Sequence, residues 1–214
     1  MWAASGITTK NVENYLYGIL PKRDAILSEM ERFAAKRDVP IVGPAVGRLL
    51  YFLAQISGAR RIFEMGSAIG YSTIWLARAA GQGAEVHYSD GDPEKARQAS
   101  GYITRAGVAD RVRIHVGNSL ELLAETSGDF DLIFIDVDKH YYPAAAKLAI
   151  PRVRSGGLLI TDNTLWSGKV TRKAAKKDAD TRGVQQLNRL VYGSPELYTV
   201  LLPIRDGVTI CRKL

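Results

Sequence analysis

A chain of 214 residues, 46% of them hydrophobic, is long enough for one substantial core and short for two, so a single domain over residues 1–214 is expected. No run approaches the roughly 18 uninterrupted apolar residues of a membrane span, and Met1 to Lys10 lacks the apolar core of an export signal, which excludes a membrane partner and predicts a soluble, cytoplasmic protein. The formal charge of +7, from 29 basic and 22 acidic residues, tilts the surface toward anionic partners, while the lone Cys211 excludes an internal disulfide and reads as core filler in a reducing compartment.

The first 58 residues read as a helical cover: Asn11 to Ile19, Lys22 to Lys36 opened by Pro21, and Pro44 to Ile56 with Val46, Leu49, Leu50 and Leu53 on one face. From residue 59 onward, short apolar runs alternate with helical patterns, the signature of a parallel sheet with helices on both faces. The predicted strands are Arg61 to Met65, Glu85 to Asp90, Val112 to Val116, Phe130 to Asp136 and Leu158 to Asp162. Between them come helices at Tyr71 to Ala80, Pro93 to Ala106, Ser119 to Glu125 and Tyr142 to Val153, followed by one near Gly183 to Tyr192. Leu197 to Leu202 and Val208 to Arg212 flank Arg205-Asp206-Gly207, which predicts a closing antiparallel hairpin. The basic stretch from Lys169 to Arg182 is diluted by Asp178 and Asp180, and reads as a solvated loop in preference to a binding patch.

Phe63-Glu64-Met65-Gly66-Ser67-Ala68-Ile69-Gly70 carries the first strand into a glycine turn and a helix, the place where open α/β sheets bind ligands. Gly66 lets the backbone approach a ligand and Gly70 opens the helix without a side chain. The middle glycine of a dinucleotide fingerprint is missing, which argues against NAD and for a ligand without a diphosphate. Asp90 ends the second strand roughly 20 residues further on, where a carboxylate can accept from both hydroxyls of an adenosine ribose; Asp92, just before Pro93, is assigned to capping the next helix.

Two strand ends then carry oxygen donors. Ile135-Asp136-Val137-Asp138-Lys139 and Thr161-Asp162-Asn163 place Asp136, Asp162 and Asn163 at the carboxyl edge of neighbouring strands. Two carboxylates and an amide suit a hard cation, Mg2+ first, with Ca2+ or Mn2+ as alternatives. Lys139 follows closely enough to act as a general base toward a hydroxyl held at that cation.

These residues make the sequence similar to the cation-dependent class I O-methyltransferases of the catechol and caffeoyl-coenzyme A type. The similarity runs from about Val39 to Leu214 and is most specific in F-E-M-G-S-A-I-G-Y-S from Phe63, I-D-V-D-K-H-Y-Y from Ile135, D-N-T-L-W-S-G-K-V from Asp162 and P-I-R-D-G-V-T-I-C-R from Pro203. The resemblance implies a Rossmann-like seven-stranded α/β sheet with extra N-terminal helices, usually in a homodimer, that binds S-adenosylmethionine over the glycine turn. It also implies the roles. Asp136, Asp162 and Asn163 would hold the metal, with Lys139 as base; Val42, Glu64, Gly66, Ser72, Asp90, Ser119 and Asp136 would serve the cofactor, and Trp166 would wall the acceptor pocket. Asp138 is given no more than a supporting role, and His87, His115 and His140 none.

The expected reaction is methyl transfer from S-adenosylmethionine to a hydroxyl of a catechol-like or hydroxycinnamoyl-type small molecule. One competing reading shares the fold: relatives that methylate a hydroxylated uridine in transfer RNA, which the basic balance and the Lys169 to Arg182 run would suit. A second is a non-catalytic S-adenosylmethionine-binding protein, since a fold does not guarantee an activity.

Overall fold

The computed structural model describes residues 7–214, so most of the stretch from Met1 to Lys10 lies outside the described residues. Three helices come first: α1 (Lys10–Ile19), α2 (Ala25–Arg37) and α3 (Gly43–Ile56). The alternating part follows as β1 (Arg61–Met65), α4 (Tyr71–Ala80), β2 (Glu85–Asp90), α5 (Pro93–Arg105), β3 (Val112–Val116), α6 (Ser119–Glu125), β4 (Phe130–Ile135), α7 (Tyr142–Ala149) and β5 (Val153–Thr161). Then come α8 (Ala179–Gly193), β6 (Leu197–Leu202) and β7 (Val208–Lys213). Among the described residues, no helix is long and apolar enough to cross a membrane.

The seven strands form one sheet in the order β3-β2-β1-β4-β5-β7-β6. Six run in the same direction, and β7 alone among these described strands enters antiparallel, between β5 and β6, as the hairpin signal predicts. The order reverses between β1 and β4, so their carboxyl ends open the crevice in which such sheets bind ligands. Registers Met65↔Ser89, Met65↔Ile135 and Ile135↔Thr161 bring the ends of β2, β1, β4 and β5 to the same level.

Alternation along each strand splits the core into two. Ile62, Val86, Leu132, Phe134 and Ile160 face α2 to α5. Phe63, Met65, Ile133, Ile135 and Leu159 face the cluster of α6, α7 and α8. Both faces are covered, which is why these strands read as unbroken apolar runs. Cys211 lies in the second cluster, where burial pushes its thiol up to about 11; core filler is the right description of it.

Several element limits differ from the sequence-based ones. Helix α2 starts at Ala25 because Asp24 accepts from the amides of Ile26 and Leu27, so the helix begins after an acidic cap and not at Pro21. The helix predicted to reach Val153 ends at Ala149, and β5 starts at Val153 because that residue already pairs with Phe130 across an irregularity in the register. Strand β4 stops at Ile135 and β5 at Thr161, which leaves Asp136 and Asp162 as the first residues beyond the sheet. Helix α8 begins at Ala179, where Asp178 caps it through the amide and hydroxyl of Thr181, so the end of the basic run is helical. The rest of that run is tied down as well: Gln185 donates to the carbonyls of Val170 and Arg172, and Arg182 to that of Ala175 at 2.7 Å.

Candidate active site

The glycine turn after β1 is built by its neighbours. Gly66 has φ +84°, and a Cβ there would stand 2.4 Å from the carbonyl oxygen of Asp136, so glycine is demanded by the adjoining strand end as well as by any ligand. The amides of Gly66 and Ser67 both donate to the carbonyl of Ser89 at 3.0 Å. Asp90 holds the turn from the other side: its Oδ2 accepts from the Ala68 amide at 2.8 Å and its Oδ1 from the Asp92 amide at 2.9 Å. Asp92 caps α5 through the amides of Glu94 and Lys95, and both Asp90 and Asp92 line the cavity.

Beneath the turn, Glu64 is fully buried and accepts from the Thr73 hydroxyl. Burial pushes its carboxyl up to about 7; the hydroxyls of Ser72, Thr73 and Ser67 oppose the shift and the negative Asp136 adds to it. Ser119, second to the Asn118 cap of α6, meets Ser89 hydroxyl to hydroxyl at 3.0 Å.

At the next strand ends, the amide of Asp136 donates to the Met65 carbonyl at 2.8 Å and that of Asp162 to the Ile135 carbonyl at 3.2 Å, which sets the two carboxylates side by side. Lys139 Nζ donates to Asp136 Oδ1 at 2.8 Å and stands 4.8 Å over the Tyr142 ring and 5.8 Å from the Trp166 ring. Asp162 is 0% exposed. Its carboxyl is raised by burial and by the charge of Asp136, against Arg205 and Lys139. Its Oδ2 accepts from Arg205 Nη1 at 2.9 Å, while Oδ1 is buried without a protein donor.

A cavity of about 920 Å³ joins the two halves. Gly66, Asp90 and Ser119 line one end, and Asp136, Lys139, Asn163 and Trp166 the other. Val42, Glu64, Ser72 and Asp162 are not on its wall: all four are buried, Val42 at the start of α3 and Glu64 and Ser72 beneath the turn. Pro40 and Ile41, just ahead of Val42, are on the wall.

Arg205 escaped the sequence reading. The R-D-G stretch reads as a hairpin turn and as part of the motif from Pro203, with no site role for the arginine, yet the turn folds back onto the site, with the amides of Thr164 and Leu165 donating to the carbonyls of Gly207 and Asp206. Its backbone stands at φ +52°, a conformation that favours glycine or asparagine, which marks the residue only once the structure is in hand.

Two carboxylates, one of them with a buried oxygen lacking a protein partner, and an amide oxygen fit a hard divalent cation. No group of three or more His, Cys, Asp or Glu residues suited to a metal occurs among the described residues, because the third donor here is an amide. The cavity end between the glycine turn and Asp90 likewise fits an adenosine carrying a sulfonium.

The family model described as O-methyltransferase matches residues 20–214. This chain belongs to the O-methyltransferase family. A catechol O-methyltransferase of Niastella koreensis is 33% identical over 188 residues, covering 85% of each chain. A caffeoyl-CoA O-methyltransferase of Eucalyptus globulus is 30% identical over 211 residues, covering 92% of this chain and 85% of its own. Among solved structures, an O-methyltransferase of Bacillus cereus in complex with SAH superposes with a TM-score of 0.85 at 32% identity, over 95% of this chain and 97% of that one. By family the chain is thus an O-methyltransferase, and it is the Bacillus cereus relative that holds SAH.

Proposed function

We propose that this methyltransferase moves the methyl group of S-adenosylmethionine to a hydroxyl of a catechol-like or hydroxycinnamoyl-type small molecule, with a divalent cation, Mg2+ first, held by Asp136, Asp162 and Asn163. The observation that carries the reading is the meeting of Asp136, Asn163, Lys139 and Trp166 at one end of a cavity whose other end holds Asp90. The catechol and caffeoyl-CoA enzymes among its relatives support the acceptor class. When bound, the cation supplies Lewis acidity toward the acceptor oxygen. The residues do the rest: Asp90, Gly66 and Ser119 with the buried Val42, Glu64 and Ser72 position the donor, Asp136 lies where donor and acceptor meet, and Trp166 walls the acceptor. The acceptor oxygen bonds to the methyl carbon, the carbon–sulfur electron pair returns to sulfur, and the hydroxyl proton passes to Lys139 Nζ, which takes it as the neutral amine and ends as the ammonium.

The test is a methyl-transfer screen over catechols, hydroxycinnamoyl thioesters and transfer RNA, with and without chelator. Turnover of an ortho-dihydroxy aromatic that chelator abolishes and Mg2+ restores is expected, and Asp136→Ala should lose about 10²-fold or more of it with the fold intact. Full activity under chelation would overturn the scheme.

One observation favours a second reading, a transfer RNA acceptor. A groove of about 490 Å³ along α8 is lined by Arg172, Lys173, Arg182 and Arg189 with Gln185 and Gln186, and no carboxylate shares its wall. Methylation confined to RNA in the same screen would decide for it. A homodimer in the cytoplasm completes the proposal, and light scattering of the purified protein measures the assembly.

A further inference from the structure

We infer that Arg205 is a built-in counter-cation of the acceptor site, a positioning residue that holds one oxygen of Asp162 in an ion pair and so weakens the site's hold on a divalent cation; this rests on the metal-dependent reading above. The guanidinium is fixed from a turn that the 164–167 segment clamps: the amides of Thr164 and Leu165 donate to the carbonyls of Gly207 and Asp206, and the Ser167 amide to the Asp206 carboxylate. From there Arg205 reaches into the cavity and donates through Nη1 to Asp162 Oδ2 at 2.9 Å.

Asp162 is therefore divided. One oxygen belongs to Arg205, and the other is buried without a protein donor beside Asp136 and Asn163. The charges are matched: Lys139 on Asp136 at 2.8 Å and Arg205 on Asp162 at 2.9 Å leave the four groups with no net charge. An incoming dication meets neutralised carboxylates and a fixed positive group, where two uncompensated aspartates would otherwise attract it.

Arg205→Gly is the discriminating variant, because glycine adopts φ +52° without strain. Mn2+ binding to the purified full chain, read from the electron paramagnetic resonance of free Mn2+, is compared in wild type, Arg205→Gly, Arg205→Lys and Asp136→Asn. Removing the positive charge should tighten Mn2+ binding about tenfold or more, while Arg205→Lys, which keeps it, should stay within about threefold of wild type. Unchanged or weaker binding in Arg205→Gly overturns the inference, and so does equal tightening in Arg205→Lys. If wild type binds Mn2+ and Asp136→Asn does not, a silent Arg205→Gly sinks the role of Arg205 alone. Absence of Mn2+ binding in both wild type and Arg205→Gly sinks the metal reading together with it.

Discussion

Glu64 shows how a single residue couples the site to stability. Its carboxyl is buried under the glycine turn and raised to about 7, from 4.5 for the free group. Below the lower value both folded and unfolded chains carry the proton, and Glu64 imposes no cost. Between the two values the unfolded chain releases the proton and the folded one keeps it, so stability falls as pH rises; above about 7 the loss is complete and flat. The difference amounts to roughly 3 kcal/mol. Urea unfolding of the cofactor-free protein and of Glu64→Gln, measured from pH 4.5 to 8, isolates it. The stability of wild type relative to the variant should decline by about that amount across the window, because the amide does not titrate. A difference that stays constant with pH would mean that Glu64 is not held neutral by its burial.

At the scale of elements, the position of Lys139 depends on α8. Gly183 lies inside that helix, where glycine is normally unfavourable by up to about 1 kcal/mol relative to alanine. A Cβ at this position would stand 2.1 Å from the Lys139 carbonyl oxygen and 2.9 Å from the His140 Cα, both backbone atoms that cannot rotate away. Gly183→Ala should therefore destabilise by about 1–3 kcal/mol despite its better helix propensity, since overpacking outweighs the gain. Turnover should fall as Lys139 shifts, while affinity for S-adenosylhomocysteine, whose proposed contacts lie at the other end of the cavity, should hold. A variant that melts at or above the wild-type temperature would show that the helix is free to move. Such dependencies mark the limit of what the chain discloses locally. The apolar runs of β1, β2 and β4 and the donors at their ends were legible because buried parallel strands and their terminal polar residues leave a one-dimensional trace. Gly183 and Arg205 were not, for each is explained by a partner distant in sequence, Lys139 for one and Asp162 for the other. The start of β5 was hidden similarly: Arg154-Ser155-Gly156-Gly157, with Gly156 at φ +77°, lies in the irregularity of the register between Val153↔Phe130 and Leu158↔Leu132, and the strand is recognised only from that pairing with β4.

Across the whole molecule, the helices ahead of the sheet are a cover in sequence and part of the core in space. Leu27 and Met30 of α2 and Val46 and Leu50 of α3 are at most 1% exposed and belong to the same apolar cluster as Ile62, Val86, Leu132, Phe134 and Ile160 of the sheet. Burying each such side chain is worth about 1.5–3 kcal/mol, so these four alone rival the 5–15 kcal/mol or so by which a domain is stable. A chain beginning at Ala59 should consequently show no cooperative thermal transition and should expose apolar surface to a hydrophobic dye. Helix α1 stands apart, because none of its residues is buried in the core. Its Tyr17 is nonetheless close enough to the acceptor end to feel the charges of Arg205 and Asp162, although burial is what chiefly raises its phenol. A chain beginning at Lys22 should thus unfold in one transition near that of the full chain, while its KM for the acceptor rises and its KM for S-adenosylmethionine stays put. Differential scanning calorimetry of both truncations, with steady-state kinetics of the longer one, checks this. A sharp transition in the 59–214 chain would make the first 58 residues a separable layer.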